Sequence, residues 1–89
     1  MRALLLNSAE AALPTTSASA STLNSALLVR VVNTGASSAI VYRLASVSGT
    51  VLGSASVIPY EAVYLFKDPT DVLYAPAPGL QGSSITFMY

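Results

Sequence analysis

The chain has 89 residues, enough for one domain, and it carries no cysteine, no histidine and no net charge. These counts exclude a disulfide framework and metal sites built from thiolates or imidazoles, and they leave no basic surface for nucleic acid. Charged residues make up 9% and hydrophobic residues 53%, whereas about a quarter of an average globular domain is charged. Its surface must therefore carry many apolar side chains, which is typical of proteins that bind other proteins.

The first six residues, Met1 to Leu6, resemble the start of a signal peptide. The apolar run ends at Asn7, however, and is shorter than the roughly 7–15 apolar residues that a signal peptide needs. A short strand over residues 3–7 is the preferred prediction. The longer uncharged stretches are all interrupted by Ser, Gly or Pro, so we expect no transmembrane segment and no membrane partner.

Residues 8–26 are rich in Ser, Ala and Thr and have no usable period. Two interpretations remain open: a flexible linker, or an extended arm that lies across a neighbouring subunit and becomes ordered only there. In the second interpretation Leu13 and Leu23 are the anchors. We assign residues 1–26 to an N-terminal strand and this Ser/Ala-rich arm, and residues 27–89 to the body of a single domain.

From Leu27 onward the sequence alternates between strand-forming runs and turns. Gly35 is expected to take a positive φ in the first turn, and Gly53 is expected to mark either a β-bulge or a close approach of another backbone segment. With residues 3–7 included, the chain contains six or seven short strands, which predicts an all-β fold, an antiparallel β-sandwich with an extended N-terminal arm. The other predicted strands span residues 27–33, 39–45, 50–58, 62–67, 73–75 and 83–89.

Asp68 and Asp71 are the closest pair of carboxylates in the chain. Asp68 followed by Pro69 fits the N-cap and first position of a helical turn over residues 69–73, and Asp71 falls where a capping-box side chain would reach back. A hard cation needs about six or more oxygen ligands, so we prefer the capping role and expect no metal site. Because the serines have no histidine or cysteine to activate them and no glycine-rich phosphate loop is present, we also expect no catalytic residue, no cofactor and no enzymatic activity.

The predicted strand 62–67 is apolar on both faces except for Lys67. Such a strand is expected to be buried on one side by the core and on the other by something else. Core and interface remain two alternatives for Tyr64 and Phe66, because tyrosine and phenylalanine serve both. The candidate partner-binding residues are Leu13, Leu23, Tyr60, Tyr64, Phe66 and Tyr74.

Four segments carry a resemblance to a known type of protein. They are 28–35 (Leu-Val-Arg-Val-Val-Asn-Thr-Gly), 49–53 (Gly-Thr-Val-Leu-Gly), 59–61 (Pro-Tyr-Glu) and 67–71 (Lys-Asp-Pro-Thr-Asp). Over about residues 27–75 the chain resembles the small virion structural proteins of tailed, cyanophage-like bacteriophages. The resemblance implies a β-sandwich on a phage particle, a capsid decoration or cement protein. The Ser/Ala-rich arm and the Pro-rich loop at 76–78 depart from that pattern.

We therefore expect a non-enzymatic structural protein of a virion assembled in the host cytoplasm. Its partners are the major capsid protein or other virion proteins, together with further copies of itself as a homo-oligomer, and not nucleic acid. In this role it binds and stabilises the capsid lattice. The alternatives are a neck or tail component of the same virion, or a secreted adhesion or carbohydrate-binding module.

Overall fold

The structure is a computed structural model that describes the backbone of residues 3–88 and the side chains of residues 5–86. All seven predicted strands are present, and the all-β sandwich is confirmed. The described residues form β1 (Ala3–Leu6), β2 (Ala11–Ala12), a 3₁₀ helix (Ser17–Ser19), β3 (Leu28–Asn33), β4 (Ala39–Leu44), β5 (Val51–Val57), β6 (Ala62–Phe66), β7 (Val72–Tyr74) and β8 (Leu80–Met88). The two-residue strand β2 was not predicted, and the last predicted strand begins earlier than expected, at Leu80; Tyr89 lies outside the described residues.

The strands form two antiparallel sheets. The first has the order β1-β8-β3-β6, with β2 also paired to β8, and the second has the order β5-β4-β7. The register of β4 and β5 shifts between Arg43 and Leu44, opposite the segment that contains Gly53. The β-bulge predicted at Gly53 is therefore confirmed.

The core lies between the two sheets because each strand alternates its side chains between two faces. Val29 and Val31 of β3 are fully buried, as is Val57 of β5 on the opposite sheet. Burying one such side chain stabilises the fold by about 1.5–3 kcal/mol relative to leaving it exposed. The buried members of this cluster are Leu13, Ala26, Val29, Val31, Ala39, Val41, Val57, Leu73, Ala75 and Leu80.

Asn33, at the end of β3, connects the two sheets. Its Nδ2 donates hydrogen bonds to the carbonyl oxygens of Ser37 and Val57, both at 2.9 Å, and its Oδ1 accepts one from the N–H of Gly35. The prediction of a positive φ at Gly35 is wrong, since the glycine with a positive φ, of 112°, is Gly79. The two glycines pack closely instead: a Cβ on Gly79 would lie 3.4 Å from the Cα of Gly35.

The Ser/Ala-rich segment 8–26 crosses from one sheet to the other. β2 pairs with β8 of the first sheet, and the N–H of Leu13 donates to the Leu80 carbonyl at 2.9 Å. Further along, Ser21 forms an antiparallel bridge with Leu73 of β7 in the second sheet. The segment thus spans the gap between the β8 and β7 edges, and we call this flank of the sandwich the closed side.

The placement of this segment corrects the expectation that it lies across a neighbouring subunit. Leu13 is 4% exposed and belongs to the chain's own core, and Leu23 is half-buried against the same cluster. Ala20 packs with Leu44 and Val72 in a second, smaller cluster. The two leucines are anchors, but to this chain itself, because the gap between the two sheets needs apolar side chains to fill it.

Candidate functional site

The flank opposite the closed side is formed by the strands β5 and β6. Each is the last strand of its sheet, and among residues 3–88 β5 pairs with β4 alone and β6 with β3 alone. Neither strand contains a charged residue, whereas natural edge strands are usually protected by lysines, prolines or a covering segment. We call this flank the open side; its exposed edges offer main-chain groups for pairing with another strand.

A cleft of about 160 Å³ separates the two edges on the open side. Gly53 is one of its lining residues, and a Cβ on this residue would have no atom within 4 Å. The walls are mostly apolar and come from both sheets. They are formed by Val41, Tyr42, Arg43, Gly53, Ser54, Ala55, Leu65, Phe66, Lys67 and Leu73.

Lys67 lies in the wall of this cleft and is 1% exposed. Its Nζ donates hydrogen bonds to the carbonyl oxygens of Ala26, at 2.8 Å, and Asp68, at 3.3 Å. Burial lowers the pKa of Lys67 below its ordinary value of 10.5, because removing an ammonium from water disfavours its charged form, although the carboxylates of Asp71 and Asp68 act in the opposite direction. In the two-residue alternation of the strand, Lys67 lies on the same face as Val63 and Leu65. This shared face is the feature of the sequence from which its burial could have been predicted.

Exposed apolar side chains gather around β6. Phe66 is 73% exposed, Tyr60 is 77% exposed and Tyr64 is about half exposed. Leu27 lies beside the end of β6, where its carbonyl accepts the N–H of Lys67. Together with Ile58 these residues account for five of the eleven large hydrophobic side chains that are exposed among the described residues. Such a concentration of apolar surface is typical of a protein-binding site.

Tyr60 sits in a strained turn that introduces β6. The N–H of Glu61 donates to the Ile58 carbonyl, and Tyr60 has a φ of 63° at the position after Pro59. A type II turn has this arrangement, and glycine or asparagine is the usual residue at that position because a bulky side chain is disfavoured there. The main chain of Asn33 holds the turn in place by accepting the N–H of Tyr60 at 2.8 Å.

The six predicted interface residues fall into three groups. Tyr60, Tyr64 and Phe66, half of the predicted set, are exposed and lie in or next to β6 on the open side. Tyr74 instead stacks on Tyr42 of β4, with ring centroids 5.2 Å apart, next to the cluster that contains Ala20. As described above, Leu13 and Leu23 are part of the chain's own packing.

In the strand 62–67, the two predicted faces separate as expected, and it is the face with Val63 and Leu65 that meets the core. The opposite face, with Tyr64 and Phe66, has no covering segment among the described residues that buries it, and both side chains are exposed. The strand was expected to be buried on both sides, and residues 5–86 do not bury this second side. Of the two alternatives for these aromatic residues, the structure places both outside the core.

The turn between β6 and β7 differs from the predicted helical turn. The N–H of Asp71 donates to the Asp68 carbonyl at 3.0 Å, and the chain enters β7 at Val72. Asp71, rather than Asp68, is the buried carboxylate: its Oδ2 accepts a hydrogen bond from the Arg43 guanidinium at 2.7 Å and one from the N–H of Asp68 at 3.3 Å. The predicted helical turn over residues 69–73 is wrong, because pairing of β7 with β4 competes with helix formation and prevails, but Asp71 reaches back to the main chain of Asp68 as its position predicted.

No group of three or more acidic, histidine or cysteine side chains comes together within the described part of the chain. Among the same residues, no helix is long and apolar enough to cross a membrane. Asn33, Lys67 and Asp71 are buried, hydrogen-bonded polar residues that the predicted set of interface residues does not include.

Comparison with known proteins gives no match, whether with family models, with curated protein sequences or with solved structures. The site that remains is therefore defined by its own geometry: two uncharged strand edges, a cleft between them, and a group of exposed aromatic and aliphatic side chains.

Proposed function

We propose that this chain is a non-enzymatic structural protein of a phage virion that binds the major capsid protein lattice and stabilises it as a decoration protein. Two independent observations support the proposal. The resemblance over about residues 27–75 supports the virion, and the open side supports a role in protein assembly. Its location is accordingly the virion, assembled in the host cytoplasm.

The observation that carries the assembly role is the pair of uncharged edges, β5 and β6, on one flank. A capsid surface that presents an extended segment can add a strand to such an edge, so that the main chain supplies hydrogen bonds without new side-chain requirements. Exposed apolar residues along β5, Val51 and Leu52 among them, then lose their water-accessible area. Each Å² of apolar surface buried in this way contributes about 25 cal/mol.

The low charge of the chain also has a consequence for how it binds. Exposed ion pairs contribute at most about 1 kcal/mol and weaken in salt. Because burial of apolar surface is not screened, we expect binding to particles to persist at high ionic strength. Many copies on one lattice raise the overall affinity further through avidity.

The first test uses purified virions of the phage whose genome encodes this chain. Quantitative mass spectrometry of purified virions gives its copy number, and a low-resolution electron-microscopy map gives its place. Roughly hundreds of copies arranged on the capsid lattice support the proposal, whereas about a dozen copies or fewer at a unique vertex indicate a neck or tail component. Absence from the virion, together with secretion, would support an adhesion or carbohydrate-binding module instead.

A matched pair of variants tests the surface itself. Leu52→Arg places a charge on the exposed β5 edge, whereas Thr15→Arg places the same charge on an exposed position of the closed side. We expect the first variant to lose binding to undecorated capsids and the second to bind like the wild type, with both folded by circular dichroism. Equal binding of the two variants contradicts the assignment of the open side as the capsid-binding surface.

A further inference from the structure

The cleft between β5 and β6 is about as large as one side chain. Its volume is about 160 Å³, and an apolar cavity of roughly 150 Å³ is large enough to bind one benzene molecule. We propose that the cleft is a recognition pocket: an extended segment of a partner protein adds to β5 as a further strand and inserts one large apolar side chain, of leucine or phenylalanine size, into the cleft. The inference rests on the proposed function and deepens it, because it specifies the partner chemistry that the open side recognises.

The wall of the cleft favours an uncharged occupant. Its lining is mostly apolar, and both of its charged residues already have partners within the chain. The Arg43 guanidinium donates to Asp71 at 2.7 Å, and the buried Lys67 ammonium donates to two main-chain carbonyl oxygens. A charged side chain inserted here would give up its hydration without finding an unpaired counter-ion, which is costly. The inserted group is therefore apolar.

Gly53 marks the point on β5 where the inserted side chain enters. Glycine within a strand is unfavourable by itself and often indicates that a ligand or another backbone approaches closely. A large side chain on a neighbouring strand can stabilise such an edge glycine by packing over it. Arg43, the partner of Gly53 on β4, does not fill this space, since a Cβ on Gly53 would meet no atom within 4 Å. The covering side chain must come from the open edge.

The face of β5 that carries Gly53 points into the sandwich. Gly53 shares the two-residue phase of Val57, which is fully buried in the core. An added strand lies about 4.8 Å from β5, and the side chains on its inner face point toward the other sheet. The residue opposite Gly53 therefore points across the cleft toward Leu65, which lines the cleft from β6 and is half-buried. One strand thus covers both the β5 edge and the space beside it.

The occupant comes from another protein, because this chain has no free extended segment among residues 3–88. Its segment 8–26 is held on the closed side by the pairing of β2 with β8 and of Ser21 with Leu73. β5 is the longer of the two edges on the open side, with seven residues against five in β6. Its exposed Ser54 and Ser56 are small and uncharged, so they do not protect the edge against an incoming strand.

Titration of the purified, isotope-labelled chain with synthetic peptides tests the pocket. The probes are acetylated and amidated peptides of sequence Ser-Thr-Val-Xaa-Val-Thr-Ser, in which Xaa is Leu, Phe, Ala or Glu. Because an apolar pocket distinguishes single methylene groups by about tenfold or more, we expect the Leu and Phe peptides to bind at least about tenfold more tightly than the Ala peptide. The Glu peptide should not bind, and the shifted amide signals should lie along β5 and at Leu65. Equal binding of all four peptides, or no binding at millimolar concentration, overturns the inference.

A matched pair of variants locates the pocket. Gly53→Val fills the cleft from β5, whereas Ser56→Val adds the same side chain to the same strand at an exposed position that does not line the cleft. We expect Gly53→Val to reduce the preference for Leu over Ala to less than about twofold and Ser56→Val to retain it, with both variants folded by circular dichroism. The same preference in both variants overturns the assignment of the pocket.

Two further outcomes separate this inference from its alternatives. Wild-type dimers in sedimentation that Gly53→Val abolishes would show that a second copy fills the cleft, which overturns the assignment to a partner protein. The peptide measurements need no capsid. Capsid binding without any peptide preference refutes the pocket and leaves the proposed function intact, whereas a peptide preference in a chain that does not bind capsids refutes the proposed function alone.

Discussion

The closed and open sides of the sandwich differ in whether the chain covers the edges of its two sheets and the space between them. On the closed side, the edges of β8 and β7 are joined by the chain's own segment 8–26, and Leu13 fills the space between the sheets. On the open side, β5 and β6 end their sheets without such a segment among the described residues, and a cleft remains between them.

The difference explains where the apolar surface of a chain with so few charges is located. A small domain has too little core to bury all of its apolar residues. This chain uses its N-terminal segment to bury them on one flank, whereas on the other flank Phe66 of β6 is 73% exposed among the described residues. A covered flank stabilises the domain, whereas an uncovered flank is available to another protein, so each side predicts a different response to substitution.

The largest expected effect is on the closed side. Removal of residues 1–24 takes away β1, β2 and the core side chain of Leu13, and exposes the β8 and β7 edges. We expect the remainder not to fold, since the loss exceeds the roughly 5–15 kcal/mol that stabilises a typical domain or comes close to it. Circular dichroism and denaturant titration measure this. A full-length control with Thr15→Ser and Ala18→Ser, both at exposed positions, should retain the fold; a folded truncated chain contradicts the account of the closed side.

A single pair of substitutions makes the same comparison more sharply. Leu13→Ala opens a cavity in the core and should lower the free energy of unfolding by about 2–5 kcal/mol. Phe66→Ala on the open side removes a larger but mostly exposed side chain, so the change should stay within about 0.5 kcal/mol. Both are measured by urea unfolding at protein concentrations low enough to keep the chain monomeric. Similar losses for the two variants mean that the two sides do not differ in burial.

The turn that leads from the open-side strand β6 to the closed-side strand β7 depends on Asp71. Asp71→Ala removes the acceptor for the Arg43 guanidinium and for the N–H of Asp68, and we expect a loss of about 1–3 kcal/mol. Asp68→Ala is the matched control and should change stability by less than about 0.5 kcal/mol, because the Asp68 side chain is exposed. Thermal unfolding distinguishes the two; a larger effect at Asp68 restores the capping interpretation.

Two glycines report the space that is available on each side. A Cβ on Gly82 would lie 2.8 Å from the Cδ2 of Leu13, whereas a Cβ on Gly53 meets no atom within 4 Å. Gly82→Ala should therefore destabilise the domain by about 1 kcal/mol through overpacking, at the low end because the leucine tip can shift. Gly53→Ala should stabilise it by about 0.5 kcal/mol, since glycine is unfavourable within a strand. Opposite signs in the unfolding free energy are the expected result, and equal signs contradict it.

The smallest effect concerns pH. In the unfolded chain the Lys67 ammonium loses its proton near its ordinary pKa of 10.5. Burial lowers the pKa of Lys67, so the folded chain loses this proton at a lower pH. Between those two pKa values the unfolded state binds more protons, so stability should rise with pH and level off at about 10.5. Lys67→Met lacks this group, and subtracting its pH profile from that of the wild type isolates the effect. A difference that falls with increasing pH contradicts a lowered pKa.

Much of this pattern was predictable from single stretches of sequence. The alternation over 62–67 correctly placed Val63 and Leu65 on one face of the strand and Tyr64 and Phe66 on the other, and Gly53 correctly marked the bulge. Predictions failed where a local signal competes with a distant partner. Asp68 followed by Pro69 favours a helical turn locally, but pairing of β7 with β4 prevails. Only half of the candidate interface residues lie by the open side. The local sequence could not separate these from the others, because the exposure of a side chain depends on neighbours that are distant in the chain.

The sequence by itself determined the strands, their two-residue periodicity and the shortage of charge, because these follow from the side chains of neighbouring residues. The tertiary structure decided which flank the Ser/Ala-rich segment covers, since that depends on contacts such as Ser21 with Leu73 that are distant in the chain. It also decided that Lys67 is buried against the Ala26 carbonyl. Local periodicity sets which face of a strand is apolar; the packing of all the strands together sets which of those faces the chain covers itself.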